Sequence, residues 1–450
     1  MKRRTCLAAL AAWSTGAARA GAGDAPVPPP QRQPLVLRNA VLHPVSGPSL
    51  PGGSLLAENG RIVALAAAGQ ALPASTSAPQ VVDLGGRHVY PGFVAANGTM
   101  GLLEVSAVPA TVDTTELGAV NPNARAVVAL NADSELLPVA RTGGVLAALS
   151  VPQGPSGGGI AGISALLQTD GWDWESLALT PEVGLHVVPP NLRLSAAALG
   201  PQAAGLGDEM RRFSQERLRV IDEAFASAAA YARARSADPS LPSDRRWEAM
   251  RPVFAEGSGR RPVFVQANDI AQIRWALGLA ERHGLRLVIV GGADAWRVAE
   301  LLKARSVPVV VSSVHRLPLR RDEDVDGPFR LPARLHEAGV TFCIARGTPG
   351  SGASSSNERN LPFEAATAAA HGLPREEALK AVTLYPARIL GVEDRLGSLQ
   401  VGRLASLLIT DGDPLETSTR IERVFVQGRE VSTANRQTRL ADRYRARLAP

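Results

Sequence analysis

The 450-residue sequence predicts an α/β fold: a TIM-like (β/α)8 barrel, distorted in places, carrying a small β-sandwich domain built from both ends of the chain. Three observations predict it. Short, near-continuous Val/Ile/Leu runs recur through the middle of the chain, the pattern of parallel strands covered on both faces. Amphipathic stretches of crossover length separate them. Two groups of alternating apolar residues with tight-turn signals bracket the whole.

Residues 1–20 read as a secretory signal, with Lys2, Arg3 and Arg4 at the start, an apolar stretch from Leu7 to Trp13, and Ala18-Arg19-Ala20 as a small-x-small cleavage site. That stretch falls short of the ~20 residues a membrane span needs. Cleavage near Ala20 implies a periplasmic or secreted protein. Residues 21–33, rich in Pro, Gly and Ala, are a linker.

The β-sandwich domain is expected from residues 34–87 and 395–433. Leu35 to Val45 and Ser54 to Leu65 alternate, with Glu58-Asn59-Gly60 as a hairpin turn; Ala405 to Thr410 and Ile421 to Val431 repeat the pattern around Gln427-Gly428. The barrel occupies residues 88–394. Its strands are His88 to Ala96, Gly144 to Pro152, Arg261 to Ala267, Leu285 to Val290, Val307 to Val314 and Val340 to Ala345, with a weaker one at Leu185 to Val188. Ile270 to Arg282 and Ala293 to Arg305 are crossover helices, and Pro374 with Glu376 and Glu377 opens another. A helical insertion lies near 200–240, centred on Asp208 to Ser236, and residues 434–450 form a tail.

Hydrophobic residues at 45% and charged residues at 20% exclude a disordered chain. The net charge of +6 falls to about +3 once the three charges at Lys2, Arg3 and Arg4 are discounted, too little to attract a polyanion, so no nucleic-acid partner is expected. Arginine replaces lysine almost everywhere, which accounts for the pI near 9.9. Cys6 leaves with the signal, and Cys343, alone in an apolar run, is core.

At Val89-Tyr90-Pro91-Gly92-Phe93-Val94-Ala95-Ala96-Asn97-Gly98-Thr99 the chain resembles the first barrel strand of the amidohydrolase superfamily, which reads Pro-Gly-hydrophobic-hydrophobic-Asp-x-His-x-His. Gly372 to Thr383, Pro386-Ala387-Arg388-Ile389-Leu390-Gly391 and Gly397-Ser398-Leu399-x-x-Gly402 resemble the closing segment of its imidazolonepropionase-like members. The resemblance runs from about Pro34 to Val431 and implies hydrolysis of non-peptide C–N bonds by a metal-bound hydroxide. The metal ligands it implies are missing. Asn97 and Thr99 replace the two histidines and Ala95 the preceding acid; Gln266 and Gly291-Gly292 occupy the later histidine positions; Arg346-Gly347-Thr348 stands where the aspartate is expected. Lys303 and Lys380 lie on helices, so no strand carries a lysine. Amide and hydroxyl replace imidazole poorly on zinc. No metal ligand and no cofactor are assigned, with zinc admitted only at a nonstandard site.

Strand ends and the loops after them build the mouth of such a barrel. They offer Asn97, Thr99, Gln153, Gln266, Asn268 and Arg346 as lining, with Arg359 and Asn360 from the loop before a late helix. Glu104, Asp269 and His315 are the candidate general bases, although Asp269 also reads as a helix cap. Gly157 to Gly162 matches G-x-G-x-x-G by letter but lacks the acid ~20 residues on that a ribose site requires. Trp172-Asp173-Trp174 reads as a plug of the rim. Two functions follow: an exported amidohydrolase-family protein with weak or no metal-dependent activity, or a non-catalytic periplasmic small-ligand-binding or scaffold protein. Either takes a small molecule as its partner.

Overall fold

The computed structural model describes residues 30–192, 206–320, 322–347 and 355–448; the signal segment, nearly all of the linker and most of the Gly350 to Ser356 loop lie outside them. Five strands open the chain: β1 Leu35–Leu42, β2 Leu50–Glu58, β3 Arg61–Ala66, β4 Gln80–Asp83 and β5 His88–Pro91. Both hairpin signals form. Asn59 and Gly60 take φ of 51° and 78°, and Gln427 and Gly428 take 48° and 72°, the two left-handed residues that a tight hairpin of this twist demands.

The barrel follows as β6 Phe93–Gly98, β7 Val145–Ser150, β8 Gly159–Ile163, β9 Ala165–Gln168, β10 Ala178–Thr180, β11 Leu185–Val188, β12 Val263–Ala267, β13 Leu287–Gly291, β14 Val309–Val311 and β15 Phe342–Ile344. Then β16 Leu407–Thr410, β17 Ile421–Val426 and β18 Arg429–Val431 return to the first sheet. The expected sandwich takes the form of one eight-stranded sheet, β18-β17-β16-β5-β1-β2-β3 with β4 also on β1. An Arg61–Leu404 bridge brings β3 back toward β16, so the sheet curls over a core of Leu37, Leu42, Leu55, Ile62, Leu407 and Phe425.

The strand expected at His88 to Ala96 is divided. β5 pairs with β1 and β16 in the sheet domain, and after Gly92 the chain enters the barrel as β6, parallel to β7. β11 to β15 form a continuous parallel ladder. Between β7 and β11 lies the glycine-rich stretch Gly157 to Gly162. β8 and β9, one chain path kinked at Ser164, run antiparallel to β11 and β7 respectively. Among the described residues, seven parallel strands and this antiparallel one therefore make up the wall.

The glycines permit close backbone approach. A Cβ on Gly159 would lie 2.2 Å from the Ala119 carbonyl oxygen, and one on Gly162 2.5 Å from that of Ala124. A nucleotide loop requires a helix after the strand, and here a second strand follows. The wall closes through Ala381 and Val382, whose carbonyls accept from Ile344 N and Val94 N, both at 2.9 Å.

Alternation along the strands sorts the core. Val94, Leu149, Phe264, Val288, Val290, Val310 and Cys343 fill the lumen, and Phe93, Val145, Val265, Ile289, Val311 and Ile344 meet the helices. Both faces are covered, so β13 reads Leu-Val-Ile-Val-Gly with every residue buried. The insertion is a 32-residue helix, Leu206–Ala237, and the tail carries a helix, Arg436–Leu448, with no buried residue. Among the described residues no helix is long and apolar enough to cross a membrane.

Candidate functional site

β6 gains a residue on β7 between Ala95 and Gly98, since Ala95 pairs with Ala148 and Gly98 with Ser150. Asn97 and Thr99, at the bulged end, are both buried. Asn97 Nδ2 donates to the Gly347 carbonyl at 3.0 Å, joining the first strand to the exit of the last. Thr99 Oγ1 lies 2.6 Å from Ser355 Oγ. Both side chains therefore latch the rim. Gln266 continues the lumen face of Phe264, and Ser312 that of Val310; Ser312 Oγ is buried without a hydrogen-bond partner. Deeper down, His186 stacks on Phe264 with ring centroids 4.8 Å apart. Burial lowers its pKa to about 3, so it is neutral.

Helices hold the three candidate bases, two of them at helix starts. Glu104 accepts from Ser134 Oγ at 2.6 Å and Glu135 N at 3.0 Å, serving the start of helix Leu136–Thr142. Asp269 caps helix Ile270–His283, accepting from Gln272 N at 2.9 Å in a capping box. His315 lies along helix Leu361–Ala370, with Nε2 2.7 Å from Thr367 Oγ1 and Nδ1 3.3 Å from Glu364.

The remaining lining candidates divide. Gln153 follows β7, its N–H on the Thr114 carbonyl at 2.7 Å, and Asn268 follows β12 with its amide oxygen in the space a Gly291 Cβ would fill. Arg346 continues the helix-facing side of Phe342 and Ile344, where its Nε lies 3.0 Å from Glu364, so it sits behind the wall. Arg359 presses its backbone onto Gly143, leaving no room for a Cβ there, and its side chain is exposed. Asn360 begins helix Leu361–Ala370 without a side-chain cap bond. In Trp172-Asp173-Trp174, Asp173 caps the short helix Trp174–Leu177, and both tryptophans are exposed instead of plugging the rim.

Two carboxylates escaped sequence reading. Glu364, fully buried, accepts from Val314 N at 2.5 Å, His315 N at 2.9 Å and Ser313 Oγ at 3.3 Å, beside Arg346. It ties the exit of β14 to the helix over it. Glu358, also fully buried, has no partner for either oxygen. Its Oε1 occupies the space a Gly98 Cβ would need, 2.4 Å away. Burial raises its pKa to about 8, Arg346 opposes the rise and Glu364 adds to it. At neutral pH it is predominantly a neutral carboxylic acid. The only sequence signal was a Glu spaced six residues from another across a helix start, and nothing in that spacing reports burial.

Residues 271–431 match the amidohydrolase family. The imidazolonepropionase of Symbiobacterium thermophilum is 27% identical over 400 residues, 80% of this chain and 84% of that one. The chain is thus similar to the amidohydrolase family over residues 271–431, and to an imidazolonepropionase along most of its length. Amidohydrolase tasK of Hapsidospora irregularis is 36% identical over 72 residues, 16% of this chain and only 7% of that protein's own length. The crystal structure of an amidohydrolase from Thermotoga maritima superposes with a TM-score of 0.74 at 24% identity, covering 88% of this chain and 99% of that one. That likeness concerns the fold.

A catalytic metal of the amidohydrolase kind needs imidazole or carboxylate ligands, and the described residues do not present them at the mouth. The Asn97 N–H is committed to a carbonyl, and Thr99, Gln266 and Ser312 are neutral. Glu358, Glu364 and Arg346 lie on the helix side, where Arg346 pairs with Glu364 and Glu358 stays unpaired. Among the described residues no three His, Cys, Asp or Glu side chains come together in a metal-holding group. The described residues do not fit the ion.

Proposed function

We propose that this chain, of the imidazolonepropionase-like branch, is an exported small-molecule-binding protein on an amidohydrolase barrel, with metal-dependent hydrolysis weak or lost. One observation carries the reading: the two positions that would hold the first imidazoles are instead the latch between first and last strands, Asn97 to Gly347 and Thr99 to Ser355. The mouth then offers neutral donors and acceptors, Gln266, Ser312, Gln153 and Asn268, which suit an uncharged polar ligand held by hydrogen bonds. The signal-like first twenty residues support export to the periplasm or medium.

Mature protein purified without chelators, analysed for zinc, iron and manganese and challenged with cyclic amides and N-acylated dipeptides, tests this. Far less than one metal per chain, no turnover, and a melting temperature that rises with one of these compounds are expected. Near-stoichiometric metal, or consumption of the compound, overturns it. The likeness to an imidazolonepropionase along most of the chain favours a second reading, hydrolysis of a non-peptide C–N bond with Glu104, Asp269 or His315 as base. Turnover that survives metal removal and falls in Glu104→Gln, Asp269→Asn or His315→Gln would select it.

A further inference from the structure

A cavity of about 460 Å3 lies at the end of the barrel away from the mouth, where the sheet domain meets it. Its position follows from register. β9 runs against β7, so Ala165 pairs with Ser150 at the mouth and Gln168 with Ala147 nearer the strand starts. Gln168 and Asp170 contribute one wall. The tips of two hairpins, Asn59-Gly60 and Gln427-Gly428, contribute the other, and the indole of Trp172 stands at the edge, 63% exposed.

The floor is fixed before any ligand arrives. Asp170 is buried between Arg141 at 3.6 Å and Arg429 at 3.0 Å. Gln168 donates to the Ser176 carbonyl at 2.7 Å and accepts from Gln427 Nε2 at 2.8 Å, which orients both amides across the seam. That arrangement leaves the Gln427 side-chain carbonyl and the whole Asn59 side-chain amide unspent. The cavity thus joins one exposed aromatic face to amide donors and acceptors on rigid turns, within the volume range of roughly 300 to 1,000 Å3 of ligand sites.

We propose that this groove binds a saccharide, distinct from the ligand of the mouth. A pyranose ring has an apolar C–H face, which an indole covers, and a rim of hydroxyls that both donate and accept, which side-chain amides match. An anion would find the floor guanidiniums already facing Asp170, and an apolar ligand would strand the amides. The groove needs no mouth residue, so its test stands apart from that of the proposed function.

Titration of the mature protein with maltose, cellobiose, lactose and chitobiose, read by tryptophan fluorescence and by calorimetry, tests the proposal. At least one disaccharide should bind saturably and without being consumed. Trp172→Ala, at an exposed position, should weaken that binding at least ~10-fold. Asn59→Gly removes the amide yet keeps a residue suited to the positive φ, and should weaken it several-fold with an unchanged melting temperature. Saturable binding that both variants retain at full strength overturns the proposal, as does absence of binding by all four sugars. Concentration-dependent self-association abolished by Trp172→Ala, without sugar binding, would also overturn it and make the tryptophan a protein contact.

Discussion

Glu358→Gln isolates the most unusual electrostatic feature of the molecule. The carboxyl is fully buried, neither oxygen has a partner, and burial raises its pKa from 4.5 to about 8. Below pH 4.5 it is protonated whether the chain is folded or not, and it costs nothing. Between 4.5 and 8 the unfolded chain releases the proton while the folded chain keeps it, so stability falls as pH rises. Above 8 both states are ionised and the loss is complete. At ~1.4 kcal/mol per pH unit the penalty approaches ~5 kcal/mol, with most of it present at pH 7. Glutamine has nearly the same shape and no proton to lose. Denaturant midpoints of wild type and Glu358→Gln, measured from pH 5 to 9, should diverge, the variant gaining on wild type by several kcal/mol as pH rises; taking the difference cancels groups common to both. A difference that stays flat across the range would refute the buried-acid reasoning, and one that reverses sign would mean that Glu358 is ionised and paired.

Other perturbations probe neighbouring features. Gly98→Ala places a Cβ 2.4 Å from Glu358 Oε1 in a strand whose backbone is fixed by β7, so a loss of about 1 to 3 kcal/mol is expected in chemical denaturation; pairing it with Glu358→Ala should recover part of that loss. Asp269→Ala removes the cap of helix Ile270–His283 and should cost about 1 kcal/mol, with no change in ligand binding at the mouth if the carboxylate serves only the helix. His186 is held neutral in the lumen with its pKa lowered to about 3 from 6.5. Its stabilising contribution is complete above pH 6.5 and lost as pH falls toward 3, because only the unfolded chain takes up the proton. His186→Leu should therefore flatten the acid limb of stability relative to wild type, and an unchanged limb would show that the imidazole is hydrated. Because His43 is shifted the same way, to about 4, the comparison again uses the difference between proteins.

What was legible in the sequence was whatever local chemistry dictates. The Asn59-Gly60 and Gln427-Gly428 turns, the cap at Asp269 and the apolar strands β12 to β15 follow from rules that act within a few residues, and each appears where those rules place it. The same limit explains why Gly157 to Gly162 could not be placed. Glycine signals that a backbone comes close, but the partner is the chain at Ala119 and Ala124, about forty residues earlier, and local composition cannot name it. His88 to Ala96 reads as one strand because nothing in its hydrophobicity marks the passage from one sheet to another at Gly92.

The polar groups behind the wall show where such reading ends. Arg346 was expected at the mouth because it follows a barrel strand, yet strand alternation places it with Phe342 and Ile344 on the helix side, one residue out of phase with Cys343 and Ala345. Period-two alternation makes a single residue of register decide between lumen and wall. Once Arg346 faces the helices it meets Glu364, and Glu358 is left buried with that cation already engaged. The same reasoning bears on restoring the missing imidazoles. Histidines at 97 and 99 would take the positions that now join Gly347 and Ser355 to β6, so they would loosen the rim while Gln266 and Gly291 still supplied no further ligand. Asn97→His with Thr99→His should therefore lower the melting temperature without bringing stoichiometric zinc. Tight zinc binding by that double variant would mean that the rest of a metal site survives in this barrel, and that the latch is no obstacle to it.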